Sequence, residues 1–292
     1  MVKTYGDLYV DTRRALLNSE DAHAAGIVAR MLICHVSGKS QAECLACREL
    51  YASEQVVQEV EAGLNRLLQG EPIAYIMGQW EFYGLPLHVS KDVLIPRDDT
   101  CAVADLAIKQ GLFLSQDPRV LDLCCGSGCI GLAVASRVKD AKVTLADLSR
   151  EALAVAKENT ALNKLSGRVR CVQADALAAP SAFLGKFDMI VSNPPYIDAE
   201  DMKILPPSVK NYEPHMALYG GEDGLDFYRS IVKNYREALK PGGFMAFEFG
   251  EEQGDDVCAI LEENGFTILE RANDYNGRER AVLAQYGRKD EE

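Results

Sequence analysis

From about residue 119 onward, short apolar segments alternate with helical ones, and this alternation constrains the fold more than any other feature of the sequence. Helices are predicted from the turn at 126–128 through Val138 and from about Glu151 to Asn163. The strand candidates are 120–123, 143–147, 169–172, 189–191, 243–249, 266–269 and 280–283. Such alternation is typical of an α/β fold with a parallel, doubly wound sheet, which binds ligands at the carboxyl ends of its strands.

The first quarter of the chain has a different pattern, because Ala, Leu and Glu dominate it and apolar residues recur at helical spacing between residues 56 and 68. We therefore expect a helical domain over residues 1–75. Between residues 76 and 97, aromatic residues lie among glycines, which predicts strands or a hairpin that joins two domains. The second domain is expected over residues 98–292, where Asp98-Asp99-Thr100 offers capping residues for a first helix.

The composition narrows the classes of partner. The net charge is −13 at pH 7, and an acidic chain repels phosphate backbones, so stable nucleic-acid binding is disfavoured. No apolar run approaches the ~20 residues of a membrane span, and residues 1–12 hold no apolar signal core. The 9 cysteines, an odd number scattered through apolar segments, suit a reducing compartment. We expect a cytoplasmic protein that does not bind membranes.

A glycine-rich turn follows the first predicted strand. Gly126 and Gly128 lack Cβ atoms, so the backbone there can turn sharply into a helix and approach a ligand closely. Asp147 ends the next strand, roughly twenty positions later, where a carboxylate can accept both hydroxyl hydrogens of a ribose. Together with Gly131, the turn also fits the dinucleotide fingerprint. A dehydrogenase, or a turn that binds no ligand, therefore stays open on these residues alone.

The most specific segment is a tetrapeptide at the end of the fourth predicted strand, Asn193-Pro194-Pro195-Tyr196. Two adjacent prolines fix φ and remove two N–H donors, which leaves a rigid turn rich in hydrogen-bond acceptors. The Asn193 Oδ1 atom and the Pro194 carbonyl can each accept one hydrogen of an NH2 group. Tyr196 offers a flat face to a planar group.

This arrangement suits methyl transfer to a planar nitrogen. An amide nitrogen is a poor nucleophile because its lone pair is delocalised, and accepting both of its hydrogens favours the pyramidal form that attacks a sulfonium methyl group. Orientation alone can supply up to ~7–11 kcal/mol. A dehydrogenase is disfavoured, since a proline turn supplies no proton-transfer group, whereas a turn that merely caps a strand is the structural alternative. We predict a methyltransferase that uses S-adenosylmethionine and releases S-adenosylhomocysteine.

Two further acids lie near these segments in the predicted sheet. Asp122, on the first strand, is expected either to approach the methionine amino group of the cofactor or to act as a capping or surface carboxylate. Asp175, after the third strand, is either a contact to the adenine amino group or an ordinary loop acid.

Several segments resemble the release-factor glutamine methyltransferase family, also called the HemK family. The tetrapeptide is shared with adenine-N6 and guanine-N2 methyltransferases, so the other segments are what make the match narrow. Nearly the whole chain is covered, through 70–78, 81–84, 94–97, 120–128, 212–214 with Ala217-Leu218, and 224–226 with Tyr228.

The resemblance implies a small helical N-terminal domain that recognises substrate, a β-hairpin linker, and a Rossmann-like, seven-stranded methyltransferase domain. It implies methylation of the N5 amide nitrogen of the glutamine in the Gly-Gly-Gln motif of class 1 peptide-chain release factors. The alternative acceptors are a ribosomal-protein glutamine or an exocyclic nitrogen of adenine or guanine in nucleic acid.

The matching positions also imply the site residues. The catalytic residues are Asn193, Pro194 and Tyr196. The cofactor contacts are Cys124, Cys125, Gly126, Ser127, Gly128, Asp147, Ala176 and Asn193. Asp175, the possible contact to the adenine amino group, is a further candidate. The substrate contacts are Phe82, Asn193, Pro194, Pro195 and Tyr196. Cys124-Cys125 depart from the smaller residues usual there, and 98–101 departs from the common Pro-Glu-Thr-Glu.

Two other groups of residues invite a chemical role. Cys44 and Cys47 form a Cys-x-x-Cys with Cys34 and His35 nearby. A zinc site would need better-paired ligands, so we interpret these as cysteines of a helical core and expect no metal. His215 is expected to be a loop histidine rather than a base, because no triad partners surround it.

Overall fold

The computed structural model describes residues 2–17, 21–114 and 116–287. They divide into two compact units. One unit comprises the chain through Gly78 together with Pro207–Tyr212, and the other comprises Gln79–Pro206 with the residues from Glu213 onward.

The first unit is helical, as predicted. Its helices are α1 (Tyr5–Leu16), α2 (Ala22–Ser37), α3 (Gln41–Ala46), α4 (Glu54–Leu68) and α5 (Ile73–Met77). The first and third helices begin with capping boxes, in which Thr4 pairs with Asp7 and Ser40 pairs with Glu43. Apolar residues of several helices close a small core, formed by Leu8, Leu32, Ile33, Ala52, Val57 and Val60.

A hairpin opens the second unit. Strands β1 (Gln79–Phe82) and β2 (Leu85–His88) pair antiparallel within the segment where strands or a hairpin are predicted, and the linker role of residues 76–97 stays a prediction. The two residues between the strands, Tyr83 and Gly84, both have positive φ, as a tight hairpin turn of this length requires. The buried Asn159 side chain accepts from His88 N at 2.6 Å and donates to His88 O at 3.0 Å, which ties the hairpin to the helix that carries Asn159.

The second unit is built on one seven-stranded sheet, which confirms the predicted fold class. Its strands run in the order β5-β4-β3-β6-β7-β9-β8. They are β3 (Arg119–Leu123), β4 (Lys142–Asp147), β5 (Val169–Gln173), β6 (Phe187–Ser192), β7 (Leu239–Glu248), β8 (Phe266–Asn273) and β9 (Glu279–Tyr286). The first five in that order are parallel, whereas β9 pairs antiparallel with both β7 and β8. The short connection between β8 and β9 explains this exception, because parallel neighbours need a long crossover.

Helices cover both faces of the sheet. Val120 of β3 lies in one apolar core with α6 and α7, and the next residue, Leu121, lies in the opposite core with α11 and α12. This alternation follows from the two-residue period of a strand. The remaining helices are α6 (Cys101–Phe113), α7 (Cys129–Arg137), α8 (Arg150–Leu162), α9 (Asp201–Ile204), α10 (Pro207–Lys210, in the first unit), α11 (Asp226–Tyr235) and α12 (Gly254–Glu263).

The capping role predicted for 98–100 is wrong. Asp98–Thr100 forms a single 3₁₀ turn before α6, and Thr100 makes no side-chain capping bond although it occupies the N-cap position. The Thr100 hydroxyl instead accepts a hydrogen bond from the amide of Asn193.

Candidate active site

A cavity of about 340 Å³ lies at the carboxyl ends of the parallel strands in the second unit. The segments that follow β3, β4, β5 and β6 all contribute to its wall, through Cys124, Asp147, Ala174 and Asn193 among others. Strand β3 has β4 on one side and β6 on the other, so successive crossovers leave in opposite directions. The cavity therefore occupies the switch point at which doubly wound sheets bind their ligands.

The glycine turn forms the floor of this cavity. Cys124 and Gly126 line the wall with φ of +60° and +52°, and Gly128 reaches +83° as the N-cap of α7. A Cβ on Gly128 would lie 2.9 Å from Leu145 Cδ1, so the turn can pack this tightly only with glycine there. Of the predicted contacts in the turn, Cys124, Cys125, Gly126 and Ser127 line the cavity, whereas Gly128 shapes the turn behind it.

The third glycine of the fingerprint serves helix packing. A Cβ on Gly131 would lie 2.4 Å from Leu145 Cδ2 and 2.9 Å from Asp122 Oδ2. The Asp122 carboxylate accepts from Gly131 N at 2.7 Å, so it caps the first turn of α7. Burial raises the pKa of Asp122 to about 7. Of the two roles predicted for Asp122, capping is the one that the structure supports.

Asp147 is held in place by the backbone around it. Its Oδ2 accepts from Gly126 N and its Oδ1 from Ser149 N, both at 2.9 Å. Each oxygen keeps a second acceptor direction, which suits a pair of neighbouring hydroxyl groups in the cavity. Burial raises the pKa of Asp147, and the backbone donors oppose that shift.

Asp175 and Ala176 line the same cavity after β5. Asp175 Oδ1 accepts from Leu177 N at 2.8 Å, which leaves Oδ2 to face a donor. Tyr235 Oη donates to the Asp175 carbonyl at 2.9 Å, and Ser230 Oγ donates to the Ala176 carbonyl at 3.0 Å, so α11 fixes this short segment.

The tetrapeptide lies directly beyond β6, and two of its members reach the cavity wall. Asn193 and Pro195 line it, whereas Pro194 and Tyr196 are not among the lining residues. The Tyr196 carbonyl accepts from Gln253 Nε2 at 3.0 Å, which fastens the turn to the start of α12. Burial raises the pKa of the Tyr196 hydroxyl, so the ring carries no charge at neutral pH.

One wall of the cavity comes from segments to which the sequence analysis gave no role in the site. Leu94 and Pro96 line it before α6, and Pro214 lines it after the tetrapeptide. Glu213, almost fully buried, joins these two segments by accepting from Ile95 N at 3.2 Å and from the Arg97 guanidinium. Both segments are among those that resemble the glutamine methyltransferase family, and this resemblance is the sequence signal that could have predicted their place in the site.

His215 also lies in this wall. It sits beside Tyr219, with ring centroids 5.8 Å apart, and both side chains line the cavity. It belongs to a short 3₁₀ turn, His215–Ala217, and its interpretation as a loop histidine rather than a base stays a prediction.

Other predicted residues lie away from the cavity. Phe82 is 3% exposed and packs in the core between the hairpin and the sheet, so the structure does not bring it to the wall. In the first unit, Cys34 Sγ lies 3.5 Å from Cys44 Sγ, and Cys47 ends α3 as its C-cap. No group of three or more His, Cys, Asp or Glu side chains that could hold a metal ion occurs among the described residues.

Comparison with known proteins identifies the family. A model described as "PrmC N-terminal domain" matches residues 11–78, and one described as "Methyltransferase small domain" matches residues 107–206. The release factor glutamine methyltransferase of Clostridium acetobutylicum is 39% identical over 89% of this chain and 90% of its own length. The chain belongs to the release factor glutamine methyltransferase family. A member from Salmonella typhimurium is 38% identical over 88% of this chain and 91% of its own length.

Solved structures support the fold of this family member. A methyltransferase from Pyrococcus furiosus superposes with a TM-score of 0.51 and 20% identity, over 76% of this chain and 96% of its own. Membership of the family, together with the fold, implies the use of S-adenosylmethionine.

Among the described residues, no helix has the length and apolar character that crossing a membrane requires.

Proposed function

We propose that this protein transfers a methyl group from S-adenosylmethionine to the N5 amide nitrogen of the glutamine in the Gly-Gly-Gln motif of class 1 peptide-chain release factors. One observation carries the proposal: Asn193 and the turn Cys124–Ser127 line the same cavity at the switch point of the sheet. An amide acceptor can therefore meet the cofactor's methyl group beside the Asn193 oxygen.

The residues of the cavity fit the cofactor well. S-adenosylmethionine supplies an electrophilic methyl group on a sulfonium sulfur. Asp147 offers two acceptor directions for the ribose hydroxyls, Asp175 Oδ2 suits the adenine amino group, and Ala176 is small enough for a flat ring to pass. The left-handed turn at Cys124 and Gly126 brings backbone, rather than bulky side chains, towards the methionine portion.

Replacing Asp147 with alanine should weaken S-adenosylmethionine binding by ~1–3 kcal/mol, because the ribose hydroxyls lose a charged acceptor. Isothermal titration calorimetry measures the change in Kd directly. Asp140→Ala is the matched control, since Asp140 is exposed and outside the cavity wall. An unchanged Kd for Asp147→Ala would remove this carboxylate from the cofactor site. Binding of NAD without binding of S-adenosylmethionine would overturn the choice of cofactor.

At the acceptor, the proposed chemistry needs no charged base: as the nitrogen–methyl bond forms and the carbon–sulfur bond breaks, the nitrogen becomes cationic and releases one N–H proton to water. The Asn193 Oδ1 atom, at the cavity wall, accepts one hydrogen of the glutamine NH2 group. The carbonyl of Pro194, a neighbour of Asn193 that does not itself line the cavity, stays the predicted acceptor of the second hydrogen. This favours the pyramidal nitrogen, whose lone pair points at the methyl group. Holding nitrogen, carbon and sulfur in line removes much of the entropic barrier to the reaction.

The decisive assay compares acceptors under the same conditions. Tritiated methyl groups should pass from S-adenosylmethionine to purified class 1 release factor, and mass spectrometry should place the label on the Gly-Gly-Gln glutamine. Ribosomal protein, DNA and RNA serve as parallel substrates, because the same tetrapeptide chemistry suits those acceptors. Label in DNA or RNA but not in release factor would replace the proposal, although the net charge of −13 disfavours that outcome.

We further propose that the helical unit, predicted over residues 1–75, recognises the protein substrate. A cavity of about 450 Å³ in this unit is lined by Tyr5, Tyr9, Arg30 and Leu45, and the Leu45 side chain is 73% exposed. Exposed apolar side chains beside cations are typical of protein-binding surfaces.

Leu45→Ser should raise KM for intact release factor by about tenfold, the equivalent of about 1.4 kcal/mol, and leave KM for a short Gly-Gly-Gln peptide unchanged. Steady-state kinetics with both substrates tests this. Phe183→Ser, a change at a side chain that is 96% exposed in the other unit, is the control. Equal effects of Leu45→Ser on peptide and intact factor would contradict a role of this surface in recognition.

A further inference from the structure

The end of β7 carries a carboxyl group that the proposed chemistry does not use. Glu248 is 2% exposed, and its Oε2 has no hydrogen-bond partner among the described residues. Ser192 pairs with Phe247 in the sheet, so Asn193 and Glu248 follow at the ends of neighbouring parallel strands. Burying an ionisable group without full pairing is destabilising, so its place beside Asn193 points to a role in the site.

Thr100 connects this carboxyl group to Asn193. Asn193 Nδ2 donates to Thr100 Oγ1 at 3.5 Å. Because the Thr100 oxygen is the acceptor in that contact, its own hydrogen is free for another acceptor. The strand register places the buried Glu248 carboxyl group beside Asn193 as a candidate acceptor. In agreement with this placement, hydrogen bonding to Thr100 and to Asn193 lowers the pKa of Glu248 against the effect of burial.

The orientation of this amide decides whether the tetrapeptide can bind an acceptor NH2 group. A side-chain amide has two orientations that differ by a flip, with oxygen and nitrogen exchanged. With Oδ1 towards the cavity, Asn193 accepts a hydrogen from glutamine. With Nδ2 towards the cavity, the NH2 group of Asn193 faces the NH2 group of the glutamine, and neither group can accept a hydrogen bond from the other. The shape of the cavity hardly distinguishes the two orientations, so hydrogen-bond partners must do so.

We propose that Glu248 is a positioning residue that, directly and through Thr100, holds the Nδ2 group of Asn193 inward and thereby turns Oδ1 towards the acceptor glutamine. The inference rests on the proposed glutamine methylation. Glu248 is not among the residues that line the cavity, whereas Thr100 and Asn193 are. Its effect on the reaction is therefore indirect, through the hydrogen bonds of those two side chains.

Several charged or titratable groups surround Glu248, and their balance sets its protonation. Arg280 of β9 favours the ionised form, and Asp99, in the turn before α6, opposes it. Other titratable groups that face the site are the buried hydroxyls of Tyr196 and Tyr228 and the thiols of Cys101 and Cys129, with raised pKa values. Burial is the largest influence and raises the pKa of Glu248 to about 7.

The protonation of Glu248 gives the inference a signature that a purely structural residue would lack. Above its pKa, the carboxylate is a charged acceptor for Thr100 and Asn193. Below it, the group is neutral and carries a hydrogen of its own, so its hold on the amide weakens. We expect kcat of the wild-type protein to fall as the pH drops below about 7, because the acceptor amide itself does not titrate there.

The experiment measures kcat, KM for release factor and Kd for S-adenosylmethionine for the full chain and four variants, from about pH 6 to about pH 8.5. Glu248→Leu should lower kcat by roughly a hundredfold, because a reacting group that is misplaced by about 1 Å typically costs that much. KM for release factor and Kd for S-adenosylmethionine should both stay within about threefold of wild type. Glu248→Gln should recover only part of that loss, to about the level of the wild-type protein at low pH, because its neutral carbonyl still accepts a hydrogen from Asn193 but carries no charge, and its kcat should no longer fall below pH 7. Thr100→Val should lose more activity than Thr100→Ser, which keeps the hydroxyl.

Each contrary result has a definite meaning. Folded Glu248→Leu protein with kcat within about threefold of wild type would overturn the inference, as would a Glu248→Gln profile that keeps the wild-type fall at low pH. If Glu248→Leu does not fold, the pH profile of Glu248→Gln and the comparison of Thr100→Val with Thr100→Ser test the inference instead. Equal kcat values for the two Thr100 variants would contradict it. A wild-type protein that leaves glutamine unmethylated would refute the proposed function and the inference together.

Discussion

Replacing Asn193 with alanine should lower kcat by roughly a hundredfold or more while the protein stays folded. The substitution removes one of the two acceptors proposed for the glutamine NH2 group, so the nitrogen is neither oriented nor made more basic. The effect on stability should be at most about 1 kcal/mol, because the hydrogen bond that Asn193 Nδ2 donates to Thr100 is long, at 3.5 Å.

Single-turnover methyl transfer and thermal unfolding, measured on the same preparations, separate these two effects. Asn276→Ala is the matched control, since Asn276 is an exposed asparagine outside the cavity wall. A near-normal single-turnover rate for Asn193→Ala would remove this residue from the mechanism. A large drop in melting temperature would instead show that the amide is structural.

The parts of the site that can be predicted from the sequence are those whose position depends on neighbouring residues in the chain. The turn at 126–128 follows a strand and opens a helix, and Asp147 ends the next strand, so both could be placed from neighbouring residues. The tetrapeptide fixes its own backbone through two prolines. For this reason, the strands that bear these residues were predicted to within a few residues of their observed bounds.

The rest of the site depends on residues that are distant in the chain. Thr100 contacts Asn193 from the start of α6, Glu248 lies beside it at the end of β7, and Glu213 reaches back to the segment before α6. No spacing rule links such positions, because the order of strands in the sheet brings them together. The sequence predicts a capping role for Thr100 for the same reason, because its local setting before a helix is that of a cap.

Phe82 is a second residue whose position cannot be predicted from its neighbours in the chain. The resemblance placed it in the substrate pocket, yet its ring is buried in the core beside the hairpin. An aromatic residue next to a tight turn has an apolar surface that suits either a core or a pocket wall. The choice between the two depends on packing between elements distant in the chain, since Phe82 shares its core with residues of α6, α7 and the sheet.

The acceptor itself should show the second large effect. A release factor with asparagine in place of the glutamine should be methylated roughly a hundredfold more slowly, because a side chain one methylene shorter leaves its nitrogen about 1 Å or more from the in-line position. Glutamate should not be methylated at a measurable rate. It has no NH2 group, so the Asn193 oxygen and the Pro194 carbonyl would face carboxylate oxygens, at a cost of roughly 1–3 kcal/mol for each unsatisfied group, with added repulsion.

The flanking glycines of the proposed motif fit this account, since backbone without side chains can enter a narrow site beside the two prolines. Mass spectrometry of release factor that carries Gln, Asn or Glu at the acceptor position measures the three rates in one assay. Wild-type glutamine is the internal control, and circular dichroism of each variant factor confirms that the substrate is folded. Comparable methylation of the asparagine variant would mean that the cavity does not measure side-chain length. In-line positioning by Asn193 and Pro194 would then have to be abandoned as the source of selectivity, even if glutamine proved to be the natural acceptor.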